Sequence, residues 1–180
     1  IHISGLAIGL MSCILILLFV NNELTYDSWI KDNDRIVRLH SAFVNPGRPE
    51  FRTVRAPGAW AADLERYAPD QVESWVRIIT NTTAVIKDGE AYDSPVEFVD
   101  QSFFDVFDFP FVHGNPEQSF KGPLDLVVSE ENAIRFFGRT DVVGETLTFC
   151  CLQNQQIELP IRGVIKDLPE NSHMQVGMLV

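Results

Sequence analysis

Histidine and cysteine are the side chains of this sequence best suited to metal binding or nucleophilic chemistry, and neither type shows the spacing of a metal site. The four histidines lie far apart along the chain, at His2, His40, His113 and His173. Each is expected to be a surface or turn residue, because metal ligands and catalytic groups come in recognisable spacings. Cys13 lies within an apolar run, and no CxxC or Cys/His spacing predicts a metal site.

Cys150 and Cys151 are adjacent in a predicted strand, and adjacent strand residues point to opposite faces of a sheet. Two free thiols, one buried and one exposed, are therefore the expected state. A strained vicinal disulfide is the alternative in an oxidising compartment. The sequence leaves the redox state of this pair open.

Motifs for nucleotide or hydrolytic chemistry are missing from the sequence. It contains no G-x-x-x-x-G-K-[ST] phosphate loop, no H-E-x-x-H, no G-x-S-x-G and no Rossmann glycine pattern. The carboxylates are spread along loops and predicted helix starts, where they solvate the surface. The chain is therefore predicted to be non-enzymatic and to need no cofactor.

The charge balance is acidic, with 14 Lys and Arg against 25 Asp and Glu and a formal net charge of −11. Nucleic-acid binding needs clustered basic side chains, so this balance argues against a nucleic-acid partner. It also argues against a domain that lies flat on an anionic membrane leaflet.

The N-terminal residues are almost entirely hydrophobic, and the uncharged run ISGLAIGLMSCILILLFV covers 3–20. As an α-helix this run spans roughly 27 Å at about 1.5 Å per residue, close to the hydrocarbon thickness of a bilayer. A cleaved signal peptide would need a small-residue cleavage site before NNELTYD, and a buried soluble helix would need a polar face. The sequence therefore predicts a transmembrane helix, within a helix-and-stalk segment over 1–31.

Small and aromatic residues indicate how this helix is placed in a membrane. Gly5, Gly9 and Cys13 recur at four-residue spacing and predict a face that packs against another membrane helix. Tyr26 and Trp29 follow the apolar run and are predicted interfacial anchors in contact with membrane lipid. Good helix formers beyond the run predict that the helix continues as a stalk. The acidic flank, with no Lys or Arg before position 31, favours an extracytoplasmic domain.

Residues 32–180 predict a single mixed domain in which strands and helices alternate irregularly, so the fold class is α+β. Asp88-Gly89 lies between two β-rich runs and predicts a hairpin turn. Ser129 is a predicted N-cap for a helix that Gly138 terminates. The phenylalanine-rich stretch QSFFDVFDFPFVHG could line a ligand groove, but a buried core is the favoured interpretation.

Several segments, taken in order, resemble a known family. GLAIGL…LLFV, ELTYDSW and DRIVRL are similar to the start of bacterial ABC-transporter permeases of the FtsX-like/MacB-like type. FFDVFDFPFVHGNP, VVSEENAIRFFG, VVGETL and GVIKDLPENSH are similar to the MacB-like periplasmic core domain of that family. These segments follow the family's order over nearly the whole chain.

The resemblance implies a permease subunit in the bacterial inner membrane, with residues 32–180 on the periplasmic side as a core domain incomplete at its C-terminus. It implies three further membrane helices, a dimer of permease subunits, and an ATP-binding subunit or domain whose hydrolysis moves the periplasmic domain for export or extraction of a substrate. A membrane-anchored extracytoplasmic sensor or ligand-binding domain of a signalling protein is the alternative. Five residues of the last segment are expected to be structural: Asp167, Pro169, Asn171, Ser172 and His173.

Overall fold

The computed structural model describes residues 2–150 and 155–180, which form two compact units. The first unit comprises the residues up to Asn33 together with Leu168–Gln175. The second comprises Asp34–Asp167 and Val176–Val180. A segment near the end of the sequence therefore belongs to the same unit as the N-terminal helix.

The first unit is built on α1, the helix His2–Leu24. Its apolar side chains are exposed around the whole helix, as Leu6 at 75% and Leu17 at 67% illustrate. The stretch Ile3–Leu24 is long and apolar enough to cross a membrane, judged by length and composition. These exposed side chains suit a helix whose surroundings are lipid or other membrane helices.

The expected helical stalk beyond α1 is wrong, because the helix ends at Leu24 and the chain enters successive turns. The Thr25 N–H still donates to the carbonyl of Asn21 at 3.1 Å, but the Asp27 N–H donates to the carbonyl of Asn171 at 3.0 Å and does not continue the helical ladder. Asp27 then adopts a left-handed backbone conformation with a φ of 53°, which an α-helix does not contain.

The second unit contains a two-stranded ribbon and a seven-stranded sheet. The ribbon pairs β1 (Ser41–Phe43) with β2 (Phe51–Thr53). The seven further strands are β3 (Ile78–Lys87), β4 (Glu90–Val99), β5 (Phe111–His113), β6 (Leu126–Ser129), β7 (Thr146–Cys150), β8 (Gln156–Ile165) and β9 (Met178–Leu179). The helices described in this unit are α2 (Trp60–Tyr67), α3 (Phe103–Val106), α4 (Pro116–Ser119) and α5 (Glu130–Phe137). A 3₁₀ turn over Asn33–Arg35 lies where the chain passes from the first unit to the second.

The seven-stranded sheet curls back on itself because β8 is long enough to pair along both of its halves. The strand order is β5-β8-β6-β9-β4-β3-β7, and β7 also pairs with β8. The first half of β8 pairs with β7, whereas the second half pairs with β6 and β5. The main hydrophobic core combines sheet residues such as Leu147 and Ile161 with Ala133 and Phe136 of α5.

Two local sequence predictions are confirmed in this unit, and with them the α+β class. Asp88 and Gly89 have φ values of 53° and 84°, which suit the tight turn that joins β3 to β4. The Ser129 hydroxyl accepts the N–H of Asn132 at 3.2 Å and caps α5, and Gly138 ends that helix with a φ of 70°.

The phenylalanine-rich stretch is a buried core, as favoured by the sequence. Phe103, Phe107 and Phe109 are at most 6% exposed. Phe104 stacks on Phe120 with ring centroids 5.2 Å apart, so the cluster also fixes the segment around α4.

Candidate functional site

The end of α1 and the segment Leu168–Gln175 meet in the first unit through a set of polar contacts. The chain after α1 forms two turns, closed by hydrogen bonds from the Ser28 N–H to the Thr25 carbonyl at 3.2 Å and from the Ile30 N–H to the Asp27 carbonyl at 3.0 Å. Asp is among the residues that tolerate the left-handed backbone conformation found at Asp27. The turns bring polar atoms against the segment instead of prolonging the helix.

Asp27 is the acceptor at the centre of these contacts. Its Oδ1 accepts the hydroxyl of Ser172 at 3.1 Å and the backbone N–H of His173 at 2.8 Å. Its Oδ2 lies 2.6 Å from Nδ1 of His173, and its own N–H donates to the carbonyl of Asn171 at 3.0 Å. Asp27 alone therefore contacts three consecutive residues of the segment, although His173 lies 146 positions further along the chain.

Ser172 connects the segment to a second residue of the turns. Its side-chain oxygen accepts the indole N–H of Trp29 at 3.0 Å and the backbone N–H of Met174 at 3.1 Å while it donates to Asp27. The carbonyl of Ser172 accepts Nε2 of Gln175 at 3.2 Å. Ser172 is 2% exposed, so its hydrogen bonds form in an environment that water hardly reaches.

Asn171 and His173 flank Ser172 and make the remaining contacts. The Asn171 side-chain amide donates to the carbonyl of Thr25 at 3.0 Å and to its hydroxyl at 3.1 Å. The Tyr26 ring meets the His173 imidazole edge-on, with the ring centroids 4.3 Å apart. Thr25, Tyr26, Asp27 and Trp29 therefore all engage the same three-residue stretch.

We name the contacts between residues 25–29 and 171–173 the helix–loop junction. Its central acceptor, the Asp27 carboxylate, is charged. Burial raises the pKa of Asp27, but hydrogen bonds from the backbone and side chain of His173 and from Ser172 bring that pKa below its ordinary value. The carboxylate is thus ionised at neutral pH, where hydrogen bonds to a charged acceptor are stronger than neutral ones. Its contribution is lost only as the pH falls through the lowered pKa.

Asp27, Ser172 and His173 are the residue types of a hydrolytic triad, but they are not connected as one. In a triad the serine hydroxyl donates to a histidine whose other ring nitrogen is held by the aspartate. Here the Ser172 hydroxyl donates directly to Asp27, and Ser172 is buried. The arrangement is suited to fastening two segments together rather than to attacking a substrate.

The residues predicted from the sequence as membrane contacts fall into two groups. Tyr26 and Trp29, the predicted interfacial anchors, both take part in the helix–loop junction, and their anchoring role stays a prediction. Gly5 and Gly9 lie on α1, and no neighbouring atom in the described part of the chain comes within 4 Å of a Cβ built at either position. Cys13 is exposed on the same helix, so a packing face for another helix also stays a prediction.

Neither cysteine chemistry nor metal chemistry has a structural counterpart within the described ranges. Cys150 is half-buried at the end of β7. Cys151 lies outside the described residues, so the predicted alternatives for the pair stay open. Within 2–150 and 155–180 no group of three His, Cys, Asp or Glu side chains could hold a metal ion.

The sequence indicates which residues of the segment are structural but not what they contact. Asn171, Ser172 and His173 are expected to be structural, and they bind the end of α1. Polar residues directly after an apolar helix, such as Thr25 and Asp27, were the available signal. A single sequence does not indicate which distant segment such residues will meet.

A family model matches this chain from residue 1 to residue 179, and it describes the MacB-like periplasmic core domain. The chain belongs to this family. The resemblance drawn from the ordered sequence motifs is thereby confirmed, and a MacB-like core domain supports a permease-type role. No curated protein matches the chain significantly.

Three solved structures are similar to this MacB-like chain, and the two with TM-scores above 0.5 support the same fold. A domain of a protein described as a permease, from Porphyromonas gingivalis, is 24% identical with a TM-score of 0.64, over 78% of this chain and 60% of that one. The extracellular domain of the noncanonic ABC-type transporter YknZ from Gram-positive bacteria is 17% identical with a TM-score of 0.51, over 68% and 60%. The periplasmic region of MacB from Actinobacillus actinomycetemcomitans is 12% identical with a TM-score of 0.48, over 67% and 61%. The chain thus spans about three fifths of the length of these structures.

Family membership separates the two functions that the sequence left open. The MacB-like core domain is a domain of transporter permeases, which are generally non-enzymatic. Together with a helix long and apolar enough to cross a membrane, it indicates a membrane protein with a periplasmic segment. A permease-type role is therefore favoured over a signalling receptor.

Proposed function

We propose that this chain is the first membrane helix and periplasmic domain of an ABC-transporter permease subunit in the bacterial inner membrane. In this role the helix–loop junction passes ATP-driven movement of α1 to the α/β domain, for export or extraction of a substrate. The observation that carries the proposal is the hydrogen bonding of Asp27 to Ser172 and His173. This bonding ties the residues after the membrane helix to a segment of the family's periplasmic domain.

The connectivity of the chain supports transmission through this segment. Residues 168–175 belong to the unit of α1, whereas Asp167 before them and Val176 after them belong to the second unit. A displacement of the end of α1 therefore reaches the second unit through covalent bonds on both flanks of the segment. The peptide bond between Asn33, the last residue of the N-terminal part of the first unit, and Asp34 of the second unit is a third such path.

The number and kind of contacts support a stiff connection. Asp27, Ser172 and Asn171 use backbone and side-chain groups together, and each hydrogen bond adds roughly 1 kcal/mol, more where the acceptor is charged. Contacts of this number resist separation better than one surface ion pair, whose contribution is about 0–1 kcal/mol.

The proposal also includes an ATP-binding partner, membrane lipid and a second permease subunit. No phosphate-binding loop occurs in it, so in the proposed mechanism ATP is bound and hydrolysed by a separate subunit or domain. The exposed apolar surface of α1 calls for lipid and other membrane helices, and a dimer of permease subunits would supply some of them. Residues 32–180 would then lie on the periplasmic side.

The test uses the full-length permease, assembled with its ATP-binding partner in lipid nanodiscs and carrying Cys13, Cys150 and Cys151 as serine. A spin label is attached at Asp141→Cys, an exposed position of the second unit. Double electron–electron resonance then measures the distance between the labels on the two permease subunits of the dimer. In the labelled permease that keeps Asp27, called the parent, this distance should differ between the ADP state and the vanadate-trapped state. In Asp27→Ala the difference should shrink while ATP hydrolysis continues.

Asp32→Ala is the matched control, because Asp32 has the same φ of 53° and lies outside the junction. It should keep the nucleotide-dependent distance change of the parent. An Asp27→Ala protein that moves as the parent does would refute transmission through the junction. A parent whose distance is the same in both nucleotide states would refute the coupling altogether.

A further inference from the structure

The exposed hydrophobic side chains of the second unit are concentrated in residues 37–79, which we name the open layer. Outside α1, ten of the fifteen large hydrophobic side chains that are exposed lie in this stretch. Of the twenty hydrophobic side chains that are buried, it contributes Ala61 alone among the described residues. Single exposed hydrophobic residues are normal on a protein surface, but such a concentration marks a surface that another element covers.

The ribbon within the open layer has an apolar face that is only partly covered. Phe43 and Phe51 lie directly opposite each other, with ring centroids 6.2 Å apart. Ser41 shares their face and is buried, and its hydroxyl donates to the carbonyl of Arg55 at 2.7 Å. Phe43, however, is 48% exposed and Phe51 63%. Within the described ranges β1 and β2 pair only with each other, so the outer edge of each strand is open.

The start of β3 shows the same pattern on the large sheet. Ile79 lies opposite Phe98, and both belong to the face that carries the buried Val85 and Val96 along the same two strands. Ile79 is nevertheless 58% exposed and Phe98 41%. β7 pairs with the other half of β3, and no described strand pairs with that edge over 78–82. The core face and the edge of the sheet are thus both uncovered at this end of β3.

α2 adds an apolar cavity to the open layer. Trp60, Leu64 and Tyr67 of this helix line the cavity together with Leu39, and its volume is about 330 Å³. The cavity is therefore large enough to receive apolar side chains from another element.

The occupant of this surface must supply both backbone hydrogen bonds and apolar side chains. Lipid tails offer no donor or acceptor to a strand edge. A two-fold contact between copies would bring the same residues of each copy together, and residues 35–55 contain five arginines and one acidic residue. Because like charges across an interface repel, contact of this surface with itself is disfavoured. A protein segment with β-strands and acidic side chains meets both requirements.

The length of similar domains indicates where such a segment comes from. This chain spans 60% of the solved domain from Porphyromonas gingivalis and 60% of the YknZ extracellular domain. Residues that the chain does not contain therefore make up about two fifths of a domain of this kind. In the proposed function α1 crosses the membrane, so residues before it lie on the opposite side, and the remaining part of the domain follows residue 180.

We propose that the open layer is the interface for the part of the periplasmic domain that follows residue 180 in the full-length permease. Strands of that part pair with the outer edges of the ribbon and with the 78–82 edge of β3, and their apolar side chains cover Phe43, Phe51 and Ile79. Carboxylates beside them face the arginines of 35–55. The inference rests on the proposed function, and it names the surface where the chain that returns to the membrane joins the chain that leaves it.

Photo-crosslinking identifies the occupant in the full-length permease, assembled with its ATP-binding partner in lipid nanodiscs. Benzoylphenylalanine replaces Phe51 in the ribbon or Ile79 in β3, and mass spectrometry identifies the crosslinked peptides. Both positions should crosslink to peptides beyond residue 180 of the same chain. A mixture of isotope-labelled and unlabelled subunits separates these crosslinks from those between copies. Ile134 on α5, which is 52% exposed outside the open layer, is the control and should form no such crosslink.

The reactivity of cysteines in the same assembly measures whether the surface is covered. Phe51→Cys and Val143→Cys are compared after the native cysteines are changed to serine, and both positions are exposed in this chain, at 63% and 44%. Maleimide should modify Phe51→Cys about ten-fold more slowly than Val143→Cys, because a covered side chain reacts only when the layer opens locally. Equal rates would show that the surface is open and would overturn the proposal.

The outcomes distinguish this inference from the function on which it rests. Crosslinks to a second copy or to lipid, or none at all, would overturn the completed layer, and a nucleotide-dependent distance between the Asp141→Cys labels would leave the proposed function standing. Crosslinks beyond residue 180 in a permease whose label distance is the same in both nucleotide states would support the layer and refute the coupling.

Discussion

The helix–loop junction leads to a quantitative prediction for the variant Asp27→Ala. The substitution removes the acceptor for the Ser172 hydroxyl, for the His173 backbone N–H and for the His173 imidazole, at 3.1, 2.8 and 2.6 Å. It leaves Asn171 bonded to Thr25, so the segment 168–175 keeps part of its attachment. The expected effect is local opening of the segment rather than global unfolding.

The magnitude follows from the kind of hydrogen bonds that are lost. Each bond to a charged acceptor contributes about 1.5–3 kcal/mol, and bonds that share one acceptor do not add fully. The Asp27 side chain is 25% exposed, so solvent offsets part of the loss. A cost of about 3 kcal/mol for local opening, or roughly 100-fold in the opening equilibrium, is expected.

Amide hydrogen exchange of the peptide covering 168–175 measures this opening, with the chain held in detergent micelles. Alanine at a left-handed position has a cost of its own, and Asp32→Ala carries that cost without the junction contacts, since both residues have a φ of 53°. The difference between the two variants therefore isolates the hydrogen bonds of Asp27. Exchange that rises equally in both variants would refute the reasoning.

The pH dependence of the same exchange gives an independent check. Because the folded-state pKa of Asp27 lies below its ordinary value, its contribution is complete above that ordinary value, near pH 4, and is lost as the pH falls through the lowered pKa. After correction for the intrinsic rate, protection of 168–175 should be constant from neutral pH down to about pH 5 and should fall below about pH 4. In Asp27→Ala this acid step should be absent.

Three further predictions concern the second unit, and each is measured by urea unfolding of the chain in micelles. Glu97→Gln should remove a pH dependence of the free energy of unfolding. Burial raises the folded-state pKa of Glu97, so the unmodified chain should lose stability as the pH rises from the ordinary pKa of 4.5 through the raised pKa. The variant should show no such loss. Gly163→Ala should cost about 1–3 kcal/mol, because its Cβ would lie 2.6 Å from the Phe111 ring; an unchanged midpoint would contradict this packing. Asp125→Ala should cost about 2–3 kcal/mol, because it leaves Arg162 without the buried carboxylate 2.8 Å away, and high salt should not abolish the difference.

Local features of the fold could be predicted from the sequence because they depend on neighbouring residues. Asp88-Gly89 forms its turn from the backbone preferences of two residues, and Ser129 and Gly138 bound α5 for the same reason. The length and apolar character of Ile3–Leu24 likewise predict a membrane-crossing helix without reference to the rest of the chain. The ordered motifs predicted the family.

The candidate site could not be predicted, because it is made by residues far apart in the sequence. Asp27 and Ser172 are each ordinary polar residues, and only the fold brings them to hydrogen-bonding distance. The end of α1 was predicted too late for a related reason: helix formers continue past Leu24, but Asp27 adopts a left-handed conformation and donates its N–H to the distant Asn171. The place of β9 between β4 and β6 is likewise a matter of topology that two residues cannot encode alone.

The division of the chain into two units has a consequence for the exchange of parts between relatives. The sequence passes from one unit to the other three times, after Asn33, after Asp167 and after Gln175. A chimera joined only at Asn33 would combine the helix of one protein with the segment 168–175 of another, and Asp27 would face foreign partners. A functional graft must therefore carry residues 168–175 with the helix, so the natural unit of inheritance here is discontinuous in sequence.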